Sequence, residues 1–237
     1  MDGDAGSTRD RARDAAAPRI GSLSAAEIPP LAAVLARAFR DNPLNVAVIQ
    51  SDDPVFRIRC NFHGMRSLLP VARARGLVLV ARLEGRLAGA LVAADPYGYP
   101  LPAPPLAARI RGFWGQGWRV ARRWARVFES LDALHPLEPL GYLGTVGVDP
   151  SRQGRGVGTA LLARWLAGLD REATGAYLET DRCENVAFYE RSGFRVLGET
   201  QVLGARIWRM RRPAALEGRA AGAVLESGTS ASTHRGG

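Results

Sequence analysis

Apolar positions along this chain follow two rhythms, and the switches between them mark out its elements. Ser24-Ala-Ala-Glu27 reads as a capping box ahead of an apolar run that reaches Phe39. Pro29 and Pro30 fall in the turn that follows, which points to a later start for that helix. Val55 to Ala74 reads as a second helix, stopped by Gly76. Leu77 to Leu83 reads as a strand, Glu84-Gly85 as a tight turn and Arg86 to Ala93 as the returning strand of a hairpin. Asp95 to Pro105 carries five prolines and two tyrosines and is expected to be a loop.

A helical period returns at Leu106 and runs to Phe128. It sets Ile110, Phe113, Trp114, Gly117, Trp118, Ala121, Trp124, Ala125 and Phe128 on one face, with Arg109, Arg111, Arg119, Arg122, Arg123 and Arg126 on the other. The aromatic face is expected to pack on the core or line an acceptor cleft, and the Arg face to meet solvent. Gly112, Gly115 and Gly117 are expected to break the first half. Tyr142 to Val148 then reads as a strand, Gly156 to Leu169 as a helix and Ala176 to Thr180 as a strand. Asn185 to Ser192 reads as a short helix ended by Gly193, before strands at Phe194 to Leu203 and Arg206 to Met210 that turn at Gly204. The order is mixed α/β with hairpins at both ends. One folded domain over residues 19–212 is expected, between unstructured tails at 1–18 and 213–237 whose few large apolar side chains would recover little burial.

Composition narrows the options. An apolar content of 46% over 237 residues excludes a wholly disordered chain. Basic residues number 32 against 23 acidic ones, for a formal charge of +9, and every one of them is Arg. With no Lys, a Walker-type phosphate loop and a Schiff-base lysine are both excluded. Residues 106–130 hold six Arg and one Glu, so a single helix carries more than half of the excess charge. Basic and aromatic faces together also suit a membrane surface or nucleic acid; neither partner is expected here, the solvated Arg face being the simpler reading. Cys60 and Cys183 lie far apart, and the three His lack metal spacing, so no metal site is expected. A reduced, cytoplasmic setting follows from that cysteine usage. Residues 1–18 have no apolar core of the kind a signal peptide needs, and no apolar run reaches membrane-spanning length.

The most informative stretch is Val146-Gly-Val-Asp-Pro150-Ser-Arg-Gln153-Gly-Arg-Gly156-Val-Gly158-Thr-Ala-Leu-Leu162. A strand ends at a proline, a Gly-rich loop follows, and a helix begins. The first helical turn leaves backbone N–H groups unpaired at the positive end of the dipole, and glycines let an anion approach them. Such a loop is expected to hold a phosphate or pyrophosphate. The dinucleotide pattern G-x-G-x-x-G fails, because Thr159 or Leu161 falls in its last place. What remains is Q-x-x-G-x-G over Gln153 to Gly158, which an ordinary Gly-rich αβ loop also matches.

With its flanking Val-x-Val-x-Pro and Leu-Leu, the pattern resembles the coenzyme A signature of the GNAT superfamily of N-acetyltransferases. Tyr177-Leu-Glu-Thr180 and Asn185-Val-Ala-Phe-Tyr189-Glu-Arg-Ser-Gly193-Phe194 resemble that family's second half. Together with His135-Pro136 and Tyr142-Leu143 they look most like the puromycin N-acetyltransferase branch, over about His135 to Met210. The resemblance implies a single GNAT-like α+β domain with a central, mixed, mostly antiparallel twisted sheet flanked by helices. It also implies acetyl-CoA as co-substrate and a small-molecule amine as acceptor, in a monomer or homodimer.

It further implies a division of labour. The backbone of Val146, Gly147 and Val148 would pair with the pantetheine arm as an added strand does. Amides of Gly154, Arg155, Gly156, Val157, Gly158 and Thr159 would hold the pyrophosphate, next to Gln153. Arg152 and Arg155 would add charge or simply be solvated. Asn185 would hydrogen-bond the pantetheine, and Tyr189 would be the general acid for the departing thiolate, unless it is only a core aromatic beside Phe188.

Three features stand on residue chemistry. Gly144 and Gly147 suggest a bulge or a close approach in their strand. Glu179, on an inner strand, is the first candidate for the base that deprotonates the amine; a structural ion pair is its alternative. His135 and Glu138 are weaker candidates, and Cys183 has nothing nearby to activate it. A non-catalytic acyl-CoA sensor and a peptide or protein N-acetyltransferase remain alternatives. The acceptor site is expected in Asp41 to Asp53, Asp95 to Pro105 and the Trp-rich helix.

Overall fold

A computed structural model describes residues 17–215 of the chain. The expected tails lie outside the described residues, apart from 17–18 and 213–215. The elements are β1 (Arg19–Ser22), α1 (Ile28–Ala38), α2 (Pro43–Ile49), α3 (Pro54–Arg75), β2 (Leu77–Leu83), β3 (Arg86–Ala94), α4 (Leu106–Gln116), α5 (Trp118–Asp132), β4 (Gly141–Val148), α6 (Val157–Arg171), β5 (Ala176–Thr180), α7 (Cys183–Glu190), β6 (Arg195–Val202) and β7 (Ala205–Arg212). The strands form one seven-stranded sheet in the order β1-β2-β3-β4-β5-β7-β6. Every neighbouring pair is antiparallel except β4 and β5. This is the mixed, mostly antiparallel sheet expected, with helices on both faces.

Strand alternation sorts the core into two layers. Ala81, Leu83, Leu91, Ala93, Leu143, Ala176, Leu178 and Met210 face α6, where Leu161, Leu162, Trp165, Leu166 and Leu169 cover them. Val78, Val80, Ala90 and Val92 face the other way, against Leu31 and Leu35 of α1 and Leu69 and Ala72 of α3. A third cluster joins α2, α3 and α5 to Val202 and Ile207 of the β6–β7 hairpin.

Local signals place most boundaries. The Glu27 carboxylate accepts from both the N–H and the hydroxyl of Ser24, and α1 begins directly after that turn with both prolines in its first turn. Gly117, at φ +86°, separates α4 from α5. Two elements are not expected from the sequence. β1 has four residues, too few to show a period, and exists by pairing with Leu79 to Arg82. α2 lies inside Asp41 to Asp53, a stretch for which no helix is expected. Its N-terminus is held by Asp181, whose carboxylate accepts from Leu44 N–H at 2.8 Å and from Asn42 Nδ2 at 3.3 Å. That cap comes from 137 residues away, so no local pattern announces it.

The single continuous aromatic face expected over Leu106 to Phe128 is not formed, and most of its members do not pack on the core. α5 turns Val120, Val127 and Leu131 into the core, with Trp124 partly covered beside them. Trp114 is 87% exposed, and Ile110, Phe113, Trp118 and Phe128 are all exposed as well. The break at Gly117 turns the two half-helices independently, so one continuous face does not describe them. Among the described residues, no helix is long and apolar enough to cross a membrane.

β3 and β4 lie so close at Gly89 that an added Cβ would sit 2.4 Å from the Gly147 carbonyl oxygen. Backbone cannot yield as a side-chain tip does. Gly89→Ala is therefore expected to lower the unfolding free energy by about 2 kcal/mol or more. Urea denaturation checks this through a lower midpoint at unchanged slope.

Candidate active site

The site begins where two strands part. β4 stays paired with β3 as far as Val148, but it pairs with β5 only over Gly141, Tyr142 and Leu143. The register slips opposite Val92 and Ala93, leaving Gly144 as an extra residue in β4. This is the bulge that Gly144 suggested. It reverses the phase of the strand: Leu143 faces α6 before it, and Val146 and Val148 face α6 after it. From Thr145 to Val148 the β5 side of the strand has no strand partner among the described residues, so its backbone edge opens on a slit. Gly147 turns to α1, where a Cβ would meet Leu35 at 2.7 Å and Phe39 at 3.0 Å. Its lack of a side chain therefore serves helix packing.

At the end of β4 the chain makes a tight, heavily bonded turn. Asp149 is buried; its carboxylate accepts from Ser151 N–H and from Arg37 Nε of α1, both at 3.1 Å. Burial alone would raise its pKa, but the Arg37 guanidinium and the Ser151 donors outweigh that and hold it below the ordinary carboxylate value. Gln153 Nε2 donates back to the Val148 carbonyl at 3.2 Å, closing the loop. Gly154 and Gly156 take φ +73° and +74°, which only glycine adopts freely. The first hydrogen bond of α6 runs from Ala160 N–H to Gly156, so the amides of Val157, Gly158 and Thr159 lie ahead of it. The Val157 side chain is buried, while Gly154, Gly156 and Thr159 are exposed, so backbone is what this loop presents.

The two loop arginines are engaged by the protein itself. Arg152 Nη1 donates to the Leu83 carbonyl at 3.0 Å, and Arg155 pairs with Glu84 at 2.7 Å. Both tie the loop to the β2–β3 turn. Arg37, Arg40, Arg86 and Arg152 line an open cleft of about 580 Å³ beside it, which neither Glu179 nor Tyr189 reaches.

α7 supplies the next two candidates. Asn185 donates from Nδ2 to Thr180 Oγ1 at 3.3 Å, and Tyr189 follows one turn later. Tyr189 is 7% exposed and packs edge-on against Phe188 and Phe194 in the α6-side cluster. Burial, reinforced by Asp181, raises its pKa, so it is a protonated phenol at neutral pH. Phe188 also lies against Gly158, which brings α7 beside the first turn of α6.

Glu179 faces the opposite side of the sheet. It follows Tyr177 by two residues on β5 and stands across from Arg209 on β7, just past the last residue at which β4 and β5 are paired. Burial raises its pKa to about 7, while Tyr142 and Tyr177 pull it back and the Asp132 charge pushes it up. Glu179 Oε1 has no hydrogen bond of full geometry, so the two hydroxyls act on it as near neighbours. The sequence pointed to Glu179 but not to the shell around it. Tyr99 stacks on His135 at 3.9 Å, His135 meets Tyr177 edge-on at 5.1 Å, and Tyr99 lies 4.4 Å from Tyr142. Of the weaker base candidates, His135 belongs to this shell, whereas Glu138 is bonded to Arg211 at 2.7 Å. Cys183 is exposed at the start of α7. Among the described residues, no group of three or more His, Cys, Asp or Glu is placed to hold a metal ion.

β4 and β5 part beside the unpaired amides at the start of α6, with Tyr189 on one side of the sheet and Glu179 on the other. Residues 112–196 match the family model described as "Acetyltransferase (GNAT) domain". Over those residues the chain is similar to a GNAT acetyltransferase domain. Two curated relatives are named mycothiol acetyltransferase. The one from Mycolicibacterium gilvum is 40% identical over 111 residues, covering 44% of this chain and 31% of the relative. The one from Thermobifida fusca is 34% identical over 117 residues, covering 48% and 33%. The matched stretch thus spans about a third of those relatives. A Corynebacterium glutamicum structure, described as a histone acetyltransferase and related acetyltransferase, is 25% identical with TM-score 0.58, over 84% of this chain and 97% of that one. An N-acetyltransferase from Thermoplasma acidophilum in complex with coenzyme A shares the fold at 16% identity and TM-score 0.52, over 83% and 99%.

The raised Glu179 pKa sets a pH-dependent cost. Below about 4.5 the carboxyl is protonated in both folded and unfolded chains, and no cost arises. As pH rises from there to about 7 only the unfolded chain ionises, so stability falls. Glu179→Gln is expected to remove that penalty, raising stability at pH 8 by about 1–3 kcal/mol. Denaturation at pH 4 is expected to show little difference between the two proteins.

Proposed function

We propose that the protein is an acetyl-CoA-dependent N-acetyltransferase whose acceptor is the primary amine of a small molecule, such as an antibiotic or a metabolite. The observation that carries this is the slit between β4 and β5. It opens on the amides at the start of α6 and is flanked by Tyr189 on one face and Glu179 on the other. The pantetheine arm would lie along Thr145 to Val148 as an added strand, with its pyrophosphate at Gly154 to Thr159 and Asn185 near its amides. The catalytic unit is residues 19–212.

Chemistry then needs two proton movements. Glu179 accepts a proton from the amine, which a carboxyl with a pKa of about 7 does well near neutral pH. The freed nitrogen attacks the thioester carbonyl, and Tyr189 gives its proton to the departing sulfur. Relatives named mycothiol acetyltransferase and the puromycin-branch motifs between His135 and Phe194 both support a small acceptor. So does the 95–140 segment, which folds Tyr99 and His135 over the Glu179 side of the slit.

A thiol-release assay with acetyl-CoA across puromycin, polyamines, aminothiols and peptides tests the proposal. Release with a small amine is expected; release with peptides alone would overturn the acceptor class. With the best acceptor, Tyr189→Phe is expected to lower kcat about a hundredfold while leaving acetyl-CoA affinity nearly unchanged. Full activity in that variant would remove Tyr189 from the mechanism.

A further inference from the structure

The reaction proposed above leaves a proton to discharge. An ammonium brings three N–H bonds and the amide product keeps one. The N–C bond forms, the C–S bond breaks, and one proton ends on sulfur by way of Tyr189. The other, taken by Glu179, must reach solvent before the next turnover. Glu179 is poorly placed to release it directly, because its own Oε1 is buried.

The surroundings of Glu179 are unusual for a packed aromatic cluster. Glu179 Oε1, Tyr177 Oη and His135 Nε2 are all buried and lack hydrogen-bond partners of full geometry. Buried polar atoms are ordinarily paired, and three orphans in one cluster mark a place where protons or water are exchanged. The groups that act on Glu179 are Tyr142 from β4, Tyr177 from β5, Arg209 from β7, and Tyr99 and Asp132 from the segment between β3 and β4, while His135 of that segment packs on Tyr177. Tyr99 touches both ends of this arrangement. Its ring lies 4.4 Å from that of Tyr142, and its hydroxyl donates to Asp132 Oδ1 at the exposed end of α5.

We propose that Tyr99 and Asp132 form the outlet through which the Glu179 proton reaches solvent, with the Tyr142 and Tyr177 hydroxyls as the inner carriers. The inference rests on Glu179 being the base. Tyr99 and Asp132 act through Glu179 and are positioning residues. The negative charge of Asp132 draws the proton outward, and Tyr99 spans the gap between a buried carboxyl and an exposed one.

Three variants and two readouts test this. In the protein without acceptor, the Glu179 carboxyl carbon signal, assigned by its loss in Glu179→Gln, is followed against pH by NMR. Asp132→Asn is expected to move its midpoint down, since a neighbouring negative charge is gone. With the amine found by thiol release, Tyr99→Phe and Asp132→Asn are expected to lower kcat about tenfold in dilute buffer, with KM for acetyl-CoA within about twofold. Added imidazole is expected to restore kcat in both variants and to leave the wild type unchanged, which a structural role does not predict. If Glu179→Gln abolishes turnover while the other two variants keep wild-type kcat, the outlet is wrong and the base stands. If Glu179→Gln stays active, the base assignment falls and the outlet falls with it.

Discussion

β4 cannot pair with both of its neighbours along its whole length, and the rest of the site follows from where it lets one go. It holds β3 to Val148 and releases β5 after Leu143. Two things keep the gap open. The Gly144 bulge twists β4 and re-phases its side chains, so Val146 and Val148 enter the α6 layer. On the other side, β5 stops at Thr180, and Asp181 turns out to cap α2. The result is a strip of backbone without a strand partner among the described residues, in the middle of a seven-stranded sheet. Such an edge is normally an aggregation hazard, and here it is enclosed by helices on both faces.

The same parting places charge where it is costly. Glu179 comes just after the last residue of β5 that pairs with β4 and is buried among tyrosines, so its ionised form is disfavoured. A core position filled that way lowers stability at neutral pH. By contrast, Asp149 is also buried but fully bonded by Arg37 and Ser151, and its pKa falls. One carboxylate fixes the turn that starts the phosphate loop; the other is left partly unsatisfied beside the slit. Their different partners shift the two carboxyls in opposite directions.

The segment between β3 and β4 crosses the sheet without altering its pairing. Its inner side supplies Tyr99, Asp132 and His135 to the Glu179 shell. Its outer side keeps Trp114, Phe113 and Ile110 exposed among arginines. The charge excess located at residues 106–130 thus lies on the helices between β3 and β4, while the arginines of the glycine loop are engaged by Leu83 and Glu84.

Much of this was legible in the chain. The hairpin at Leu77 to Ala94, the strand ending at Val148, the glycine loop and Ala176 to Thr180 announce themselves by alternation and by turn residues that have few other uses. Gly144 signalled its bulge, and Glu179 stood out as a carboxylate on an inner strand. Those are local properties, written within a few residues of where they act. Other features were decided only in three dimensions. α2 needed the cap from Asp181, β1 needed β2 to pair with, and Gly147 is glycine because α1 crosses it. The Tyr99–Asp132–His135 shell needed a chain excursion to return over β5. Sequence determines the period of an element and the chemistry of its side chains. Which face meets which partner depends on contacts between residues far apart, and only the folded chain sets those.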